Sequence, residues 1–265
     1  MGENMSEIKA AFFDIDGTLI EKGTHYYAES TKEALQSLQA KGIKTVVCTG
    51  RHPDEIAKEG MLNGLSFDGY VYLNGQLGFM DGKKIIENAI DPQDLSKLEV
   101  FCKNEPASCI LLEEKDYTCN FVDEAMVAGQ SYIGASVPKI QLFYDIARRK
   151  ILQAIVFVDA AQEKRLMQEL TKSKSLRWHQ TGIDIIAKNS GKERAMQQVC
   201  AHLNISLDNC IAFGDGNNDM GMLKTAKIGV AMAGAPEIVK EAADLVTSSP
   251  REDGIFKALR KLEII

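Results

Sequence analysis

A short apolar stretch that ends in two carboxylates constrains the fold more than any other feature of the chain. Residues 8–13 are apolar except for Lys9, as in a buried strand of a parallel sheet, and Asp14 and Asp16 follow. Ligands of open α/β sheets bind outside the carboxyl ends of the strands, so we expect chemistry at these acids. Two carboxylates this close repel each other, and a divalent cation is the usual remedy. An acidic turn at Gly17 is the structural alternative.

Composition limits the class of protein. The net charge of -6 gives no general attraction to nucleic acid or to an anionic membrane. No apolar run approaches the roughly twenty residues that cross a bilayer, and the polar, acidic residues 1–7 do not resemble a signal peptide. The six cysteines are dispersed without a Cys-x-x-Cys pair, which favours buried thiols over disulfides or zinc. We therefore expect a cytoplasmic protein whose partners include neither nucleic acid nor a membrane.

A second predicted strand, over 43–48, also ends in polar residues. A right-handed β-α-β crossover returns it parallel to the first strand, so that Thr49 and Gly50 reach the same sheet edge as Asp14. These two residues act as a helix cap or bind an anion through the hydroxyl and the amide, and the two roles are compatible.

Two hairpin signals then interrupt the parallel pattern. Asn74-Gly75 and Asp81-Gly82 both favour tight antiparallel turns, which are foreign to a purely parallel layer. We therefore predict an inserted module over 84–186 and a core formed by 1–83 and 187–265. The predicted fold class is α/β, a Rossmann-like doubly wound parallel sheet with an inserted α+β cap domain.

Within the insertion, the order of elements predicts helices that cover one face of a largely antiparallel sheet. One of the predicted strands spans 139–144. The basic run 148–150 either reaches an anionic substrate or forms a solvated charged surface. His179 and Asp184 are further candidates for substrate contacts, and His179 also suits a packing role.

The parallel pattern resumes after the insertion. Ser190 is the expected cap of a helix beginning near Lys192, where a lysine opposes the positive end of the helix dipole and needs an anion or carboxylates nearby. Exposure of Lys192 on the surface is the alternative. A strand over 210–213 then ends in the acidic loop 214–219. An EF-hand is excluded, since the ligand spacing is wrong and the closing glutamate is missing.

Four separate segments thus converge on one predicted edge. Their carboxylates suit a hard cation with oxygen ligands, and Mg²⁺ with retained waters is the natural choice. A hydroxyl, backbone amides, a lysine and an amide side chain suit the oxygens of a phosphoryl group. The sequence contains neither a Gly-x-x-x-x-Gly-Lys-Ser/Thr loop nor Gly-x-Gly-x-x-Gly, which argues against nucleotide binding of the usual kinds.

Together these segments resemble the haloacid dehalogenase-like hydrolases, and among them the Cof-type phosphatases with a large α+β cap of type IIB. The resemblance covers nearly the whole chain and rests on the order of four motifs. They are Asp14-Ile15-Asp16-Gly17-Thr18, Thr49-Gly50-Arg51, Lys192 and the loop 214–219. The resemblance implies a cap that closes over the site and reads the leaving group.

The resemblance also implies a role for each site residue. Asp14 would be the nucleophile that forms an aspartyl-phosphate and also a ligand of Mg²⁺. Asp16 would be the general acid and base, and its backbone carbonyl would also bind Mg²⁺. The phosphoryl oxygens would be held by Thr49, the amides of Ile15 and Gly50, Lys192 and Asn218. Asp215 would be a further ligand of the metal. Asp219 would orient metal-bound waters or pair with Lys192.

We therefore expect Mg²⁺-dependent hydrolysis of a small phosphorylated metabolite, a sugar phosphate or a phosphorylated cofactor, by a monomer or small homo-oligomer. A phosphomutase of the same superfamily, which passes the phosphoryl group to a sugar instead of water, is the first alternative. A phospho-aspartate signalling switch is the second, and Asp16 and the cap argue against it because both promote turnover. Asp16 also favours ester chemistry over a P-type ATPase, because an alkoxide leaves poorly without a proton.

Overall fold

The computed structural model describes residues 7–265, which form two compact units. The core unit consists of the residues up to Arg51, Ile56–Ile86 and Gly191–Ile265, and the inserted unit of His52–Glu55 and Glu87–Ser190. The boundaries of the long segment in the inserted unit lie a few residues after the limits 84 and 186 expected from the sequence. The short segment 52–55 was not expected there.

Strands and helices occupy most of the chain. In chain order the strands are β1 Ala10–Phe13, β2 Lys44–Cys48, β3 Gly69–Tyr72, β4 Leu77–Met80, β5 Lys83–Glu87, β6 Cys109–Leu112, β7 Tyr117–Cys119, β8 Gln153–Phe157, β9 Ser173–Arg177, β10 Gly182–Ala187, β11 Cys210–Gly214, β12 Ile228–Ala231 and β13 Leu245–Val246. The helices are α1 Glu29–Ala40, α2 Pro53–Glu59, α3 Pro92–Asn104, α4 Glu124–Tyr132, α5 Ala160–Glu169, α6 Lys192–Leu203, α7 Met220–Thr225, α8 Glu237–Lys240 and α9 Gly254–Lys261.

The core unit is built on an eight-stranded sheet with the order β13-β12-β11-β1-β2-β3-β4-β5. β1 lies between β2 and β11 and is parallel to both, with Phe13 opposite Val47 on one side and Phe213 on the other. All four residues of β1 are buried. The carboxyl ends of β1, β2 and β11 therefore lie side by side at one edge of the sheet, which confirms the parallel α/β core.

Helices cover both faces of this sheet. Alternate residues of each strand point to opposite faces, so neighbouring residues pack against different helices. Phe13 packs in one apolar cluster with residues of α1 and α9. Phe12 packs in a second cluster with residues of α6 and α7. The arrangement is the doubly wound α/β layer structure that the sequence predicts.

The two hairpin signals belong to the core sheet. Asp81 and Gly82 connect β4 and β5 with positive φ at both residues, as a two-residue type I′ turn requires. β3 and β4 are antiparallel as predicted, but the connection at Asn74-Gly75 is a longer turn over Leu73–Gly75. Because β5 pairs within the core sheet, the inserted unit begins after this hairpin.

The inserted unit contains a five-stranded sheet with the order β7-β6-β8-β10-β9, in which the four neighbouring pairs of strands are antiparallel. Helices α3 and α5 contribute Leu98 and Leu166 to an apolar cluster with residues of the sheet. The predicted strand over 139–144 is wrong, since only an isolated bridge joins Ile140 to Cys119. Leu142 and Tyr144 are more than four-fifths exposed, at 83% and 84%.

All six cysteines are buried free thiols, as the sequence predicts. Among the helices of residues 7–265, none combines the length and the apolar character that a membrane crossing requires.

Candidate active site

The predicted polar groups lie where the central strands of the core unit end. Asp14 follows β1, Thr49 follows β2 and Asp215 follows β11. Each of these three side chains is buried, with exposed fractions of 7%, 1% and 8%. Because the strands are parallel and adjacent, three distant parts of the chain are brought to one edge of one sheet.

A lysine ammonium joins two of the acids. Lys192 Nζ donates to Asp14 Oδ1 and to Asp219 Oδ1, each at 2.6 Å. Lys192 is 1% exposed and Asp219 is fully buried. The surface position considered for Lys192 is therefore wrong. The carboxylates that its place at a helix start requires are present, and Asp219 makes one of the two contacts expected of it.

The start of α6 differs from the prediction. Its N-cap is Gly191, with φ 133°, and it has no side-chain cap. Ser190, the predicted cap, instead donates its hydroxyl to the carbonyl of Ala187 at 2.5 Å. The first residue of the helix, Lys192, therefore follows directly from a glycine.

Burial and mutual repulsion perturb the charges of this cluster. Burial raises the pKa of Asp14 well above its usual range, against the attraction of Lys192, and repulsion by Asp219 and Asp215 raises it further. Burial, followed by repulsion from Asp219, raises the pKa of Asp215 to about 7. Burial alone would lower the pKa of Lys192, but attraction by Asp14 and Asp219 raises it. Lys192 therefore stays charged, and the acids still lack a full set of compensating charges.

The same acids fit a divalent cation. Asp14, Asp215 and Asp219 each present a carboxylate oxygen within 4.8 Å of the others. Gly17, with φ +80°, makes room for this cluster, since a Cβ there would overlap the Asp215 carboxylate. Several buried oxygens of like charge around one point are the donor set that Mg²⁺ prefers. The cluster contains Asp219 and not the carboxylate of Asp16, whose expected metal contact is through its backbone carbonyl.

The Asp16 carboxylate lies against an arginine instead. Arg51 Nε donates to Asp16 Oδ2 at 2.7 Å, and Arg51 Nη2 donates to Asp16 Oδ1 at 2.9 Å. Arg51 is 8% exposed and also lies 3.7 Å from Glu59 on α2. The motif Thr49-Gly50-Arg51 places this arginine at the edge that carries the acids, but it does not indicate which acid the arginine pairs with. Arg51 fixes the direction of the Asp16 carboxylate.

The predicted phosphate-binding groups also come together. The Thr49 hydroxyl accepts a hydrogen bond from the Arg51 backbone N–H at 3.2 Å. Asn218 Nδ2 donates to Asn74 Oδ1 at 2.9 Å, and Asn74 also lies against Gly50. Ile15 is buried, and its carbonyl accepts from the amide of Leu19 at 3.0 Å. Asn74 was not identified as a site residue from the sequence.

The candidates in the inserted unit make local contacts. Lys150 and Arg149 pair with Glu87 and Glu113, and Arg148 pairs with Asp145. Asp184 accepts from Trp178 Nε1 at 2.9 Å. His179 Nδ1 lies 3.1 Å from the Thr181 hydroxyl, and its ring is 5.1 Å from that of Tyr132. Each of these side chains thus has a partner within the inserted unit, and a role in substrate contact stays a prediction.

Comparison with known proteins gives one family over nearly the whole chain. A family model described as haloacid dehalogenase-like hydrolase matches residues 11–259. A putative bifunctional phosphatase/peptidyl-prolyl cis-trans isomerase of Streptococcus pyogenes is 30% identical over 98% of this chain, which spans 55% of that relative's length. The 5-amino-6-(5-phospho-D-ribitylamino)uracil phosphatase YcsE of Bacillus subtilis is 26% identical, over 96% of this chain and 95% of its own.

A solved structure of a HAD subclass IIB sugar phosphatase agrees in both fold and sequence. Its TM-score is 0.86 with 34% identity, and the match covers 97% of this chain and 100% of the other. The similarity therefore extends over the core and inserted units together with their connections.

Proposed function

The chain belongs to the haloacid dehalogenase-like hydrolases and is a phosphatase of the Cof type, and from this premise we propose that it hydrolyses small phosphomonoesters with Mg²⁺ through an aspartyl-phosphate on Asp14. One observation carries the proposal. The buried Asp14 carboxylate is held at 2.6 Å by Lys192 and lies beside Asp215 and Asp219. The proposal is supported because the carboxylate suited to attack phosphorus, an acidic cluster suited to a cation and a positively charged side chain lie together.

Asp14 begins the proposed reaction. Lys192 holds Oδ1 of Asp14, which leaves Oδ2 to attack phosphorus. The new bond joins Oδ2 to phosphorus, and the bond from phosphorus to the ester oxygen breaks. Asp16 gives its proton to the departing oxygen, which leaves as an alcohol. Arg51 pairs with both Asp16 oxygens, so the Asp16 carboxyl must leave this pair to carry the proton to the ester oxygen.

Water completes the proposed reaction. Asp16 takes a proton from a water molecule, and the oxygen of that water bonds to phosphorus. The bond between phosphorus and Asp14 breaks at the same time. Inorganic phosphate then leaves, and both acids return to their first state. Thr49, the amides of Ile15 and Gly50, Lys192 and Asn218 hold the phosphoryl oxygens during both transfers. Asp14, the Asp16 carbonyl and Asp215 would hold Mg²⁺, with Asp219 beside them. The ion supplies positive charge that offsets the charge of the transferring group.

The substrate class follows from the relatives. One is named as a phosphatase of a phosphoribitylamino-uracil and one structure is that of a sugar phosphatase, so both act on small phosphorylated molecules. We infer a sugar phosphate or a phosphorylated cofactor as substrate, with no nucleic acid or membrane partner. The enzyme would act as a monomer or small homo-oligomer. A cytoplasmic location is part of the proposal and is supported by the six free thiols.

A phosphate-release screen tests the function. Purified protein is incubated with MgCl2 and a panel of phosphorylated sugars and cofactors, and each reaction is repeated with a chelator. We expect free phosphate from several esters and its loss on chelation. Conversion of a hexose monophosphate to its isomer without free phosphate would overturn the hydrolase proposal in favour of a phosphomutase. A long-lived phosphoprotein without turnover would favour a signalling switch.

A further inference from the structure

The turn Leu73–Gly75, between β3 and β4, contacts several parts of the proposed phosphate site. Its backbone is tied to the loop after β2. Leu73 N–H donates to the carbonyl of Arg51 at 3.2 Å, and Asn74 N–H donates to the carbonyl of Thr49 at 2.9 Å. The turn and the Thr49–Arg51 segment are therefore held as one piece.

The backbone of this turn has an unfavourable conformation. Leu73 and Asn74 both have φ 53°, in the left-handed region that a branched side chain such as leucine rarely adopts. Strained residues of this kind persist where their surroundings fix them, and they cluster at functional sites. The conformation allows the Asn74 side chain to reach the edge where the central strands end.

The Asn74 amide contacts two groups assigned to the phosphoryl oxygens. It is fully buried, and its Oδ1 accepts from Asn218 Nδ2 at 2.9 Å. A Cβ on Gly50 would lie 3.1 Å from Asn74 Nδ2, so a side chain at position 50 would press on this amide. Because Oδ1 accepts one N–H of Asn218, it fixes which end of that amide faces Asn74 and leaves the second N–H for a ligand.

The same turn also packs on the start of α6. A Cβ on Gly75 would lie 2.5 Å from the carbonyl oxygen of Gly191, the residue before Lys192. A change in the turn would therefore move the helix end that carries the lysine. The Thr49 loop, Asn218 and the start of α6 come from three distant parts of the chain, and all three contact residues 73–75.

We propose that Asn74 is a positioning residue that sets the Asn218 amide and the Gly50 peptide for the phosphoryl group. The inference rests on the proposed function of the site. Asn74 takes no part in proton or phosphoryl transfer. Its effect is exerted through its neighbours, as for outer residues whose removal lowers metal affinity or activity by about 10- to 100-fold.

Asn74→Gly is the sharpest test, because glycine accepts the left-handed backbone and removes only the amide. Asn204→Gly is the matched control, since Asn204 is also left-handed, with φ 55°, but is exposed at the end of α6. We expect Asn74→Gly to lower kcat by about 10- to 100-fold and to weaken inorganic phosphate binding, measured by calorimetry with MgCl2. Asn204→Gly should match the wild type in both. Unchanged kcat and phosphate affinity in Asn74→Gly would overturn the inference.

Two further variants separate positioning from a loss of folding. Asn74→Asp keeps an acceptor for Asn218 and adds a charge, so we expect weaker phosphate binding, measured at a temperature where circular dichroism shows the variant folded. Combined with Asn218→Ala, Asn74→Gly should cost less than the product of the two single losses. Losses that multiply fully, or that only follow a drop in melting temperature, would contradict positioning.

The outcomes distinguish the two proposals. If the wild type releases phosphate and Asn74→Gly has the same kcat and phosphate affinity, only the inference about Asn74 is overturned. A wild type that binds phosphate without turning over any ester defeats the proposed function, and the calorimetric comparison still decides the role of Asn74. A wild type that neither binds phosphate nor hydrolyses esters defeats both.

Discussion

One ion pair in the core unit and one in the inserted unit hold charge in opposite ways. In the core unit, Lys192 and Asp219 have no exposed side-chain surface and are joined by a 2.6 Å ion pair. In the inserted unit, Lys139 and Asp116 form a 2.9 Å pair with side chains that are 66% and 49% exposed. A buried charge is costly unless its partners are fixed, whereas an exposed pair contributes little to stability. The buried pair therefore marks where the fold accepts a cost, which is typical of a site of chemistry.

Asp14→Asn should have the largest effect of any substitution, and the effect should be on kcat. The amide keeps the shape of the side chain but cannot attack phosphorus, so kcat should fall by at least about 10⁴-fold, in the range for loss of a catalytic nucleophile. Circular dichroism should show the wild-type fold. Phosphate release from the best ester of the screen is the measurement, with Asp116→Asn as the surface control. Turnover near the wild-type rate would remove Asp14 from the mechanism.

Lys192→Met should have the next largest effect, on stability. The substitution removes the ammonium group that pairs with the buried carboxylates. Breaking a buried pair costs about 3–5 kcal/mol in the free energy of unfolding. Urea denaturation in the presence of a chelator measures this loss. Added MgCl2 should recover part of it, since the ion would replace some of the missing charge. A variant as stable as the wild type would mean that the buried lysine is not required to neutralise the acids.

The pH dependence of stability sharpens the comparison further. Because the pKa of Asp215 is raised to about 7, the folded protein holds this proton more tightly than the unfolded chain. The resulting stabilisation is present below about pH 4 and is lost as the pH rises to about 7. Without Mg²⁺, the melting temperature should fall across this window. The gain on adding MgCl2 should be larger at about pH 8 than at about pH 5.5.

Asp215→Asn is the control for this pH effect. It should flatten the slope of melting temperature against pH and reduce the gain from MgCl2 at high pH. An equal gain at both pH values in the wild type would show that Asp215 does not link proton and cation binding.

Lys139→Met should give the smallest effect. The ion pair that it breaks is solvent-exposed, so the free energy of unfolding should change by less than about 1 kcal/mol, and phosphate release should stay at the wild-type rate. Urea denaturation beside Lys192→Met provides the direct contrast. A loss as large as that of Lys192→Met would erase the distinction between the two kinds of ion pair.

Much of the core could be predicted because its central strands are mostly apolar and end abruptly in polar residues. Phe12 and Phe13 precede Asp14, and Val47 and Cys48 precede Thr49. In a parallel sheet such ends must share an edge, so the meeting of the loops follows from the pattern. Lys192 could be placed near acids from its position at a helix start, without knowledge of its partners.

The errors lie where local pattern and packing diverge. Ile140, Leu142 and Tyr144 alternate as in a half-buried strand, but the chain pairs with β7 only around Ile140 and leaves these side chains exposed. In contrast, β9 begins with Ser173-Lys174-Ser175, which carries no apolar signal and forms a strand because β10 pairs with it. Pairing partners distant in sequence decide both cases, and a local pattern does not contain them.

The contacts of Arg51 and Asn74 could not be derived from the sequence for a related reason. The Arg51 pair with Asp16 spans 35 positions, and the Asn74 contact with Asn218 spans 144. Motif spacing indicates which loops meet. The choice of side-chain partner within a loop depends on side-chain rotamers and on the backbone conformation, which at Asn74 is left-handed.

The position of β1 between β2 and β11 has a consequence for biosynthesis. When a ribosome makes this chain, β2 follows β1 within seconds at about 5–20 residues per second, but the opposite neighbour begins at Cys210, after the whole inserted unit. Until then one side of β1 exposes unpaired backbone and apolar side chains, a state prone to aggregation and protected by chaperones. We expect nascent chains stalled before Cys210 to be protease-sensitive in β1 and catalytically silent, because the acid loop after β11 is still missing.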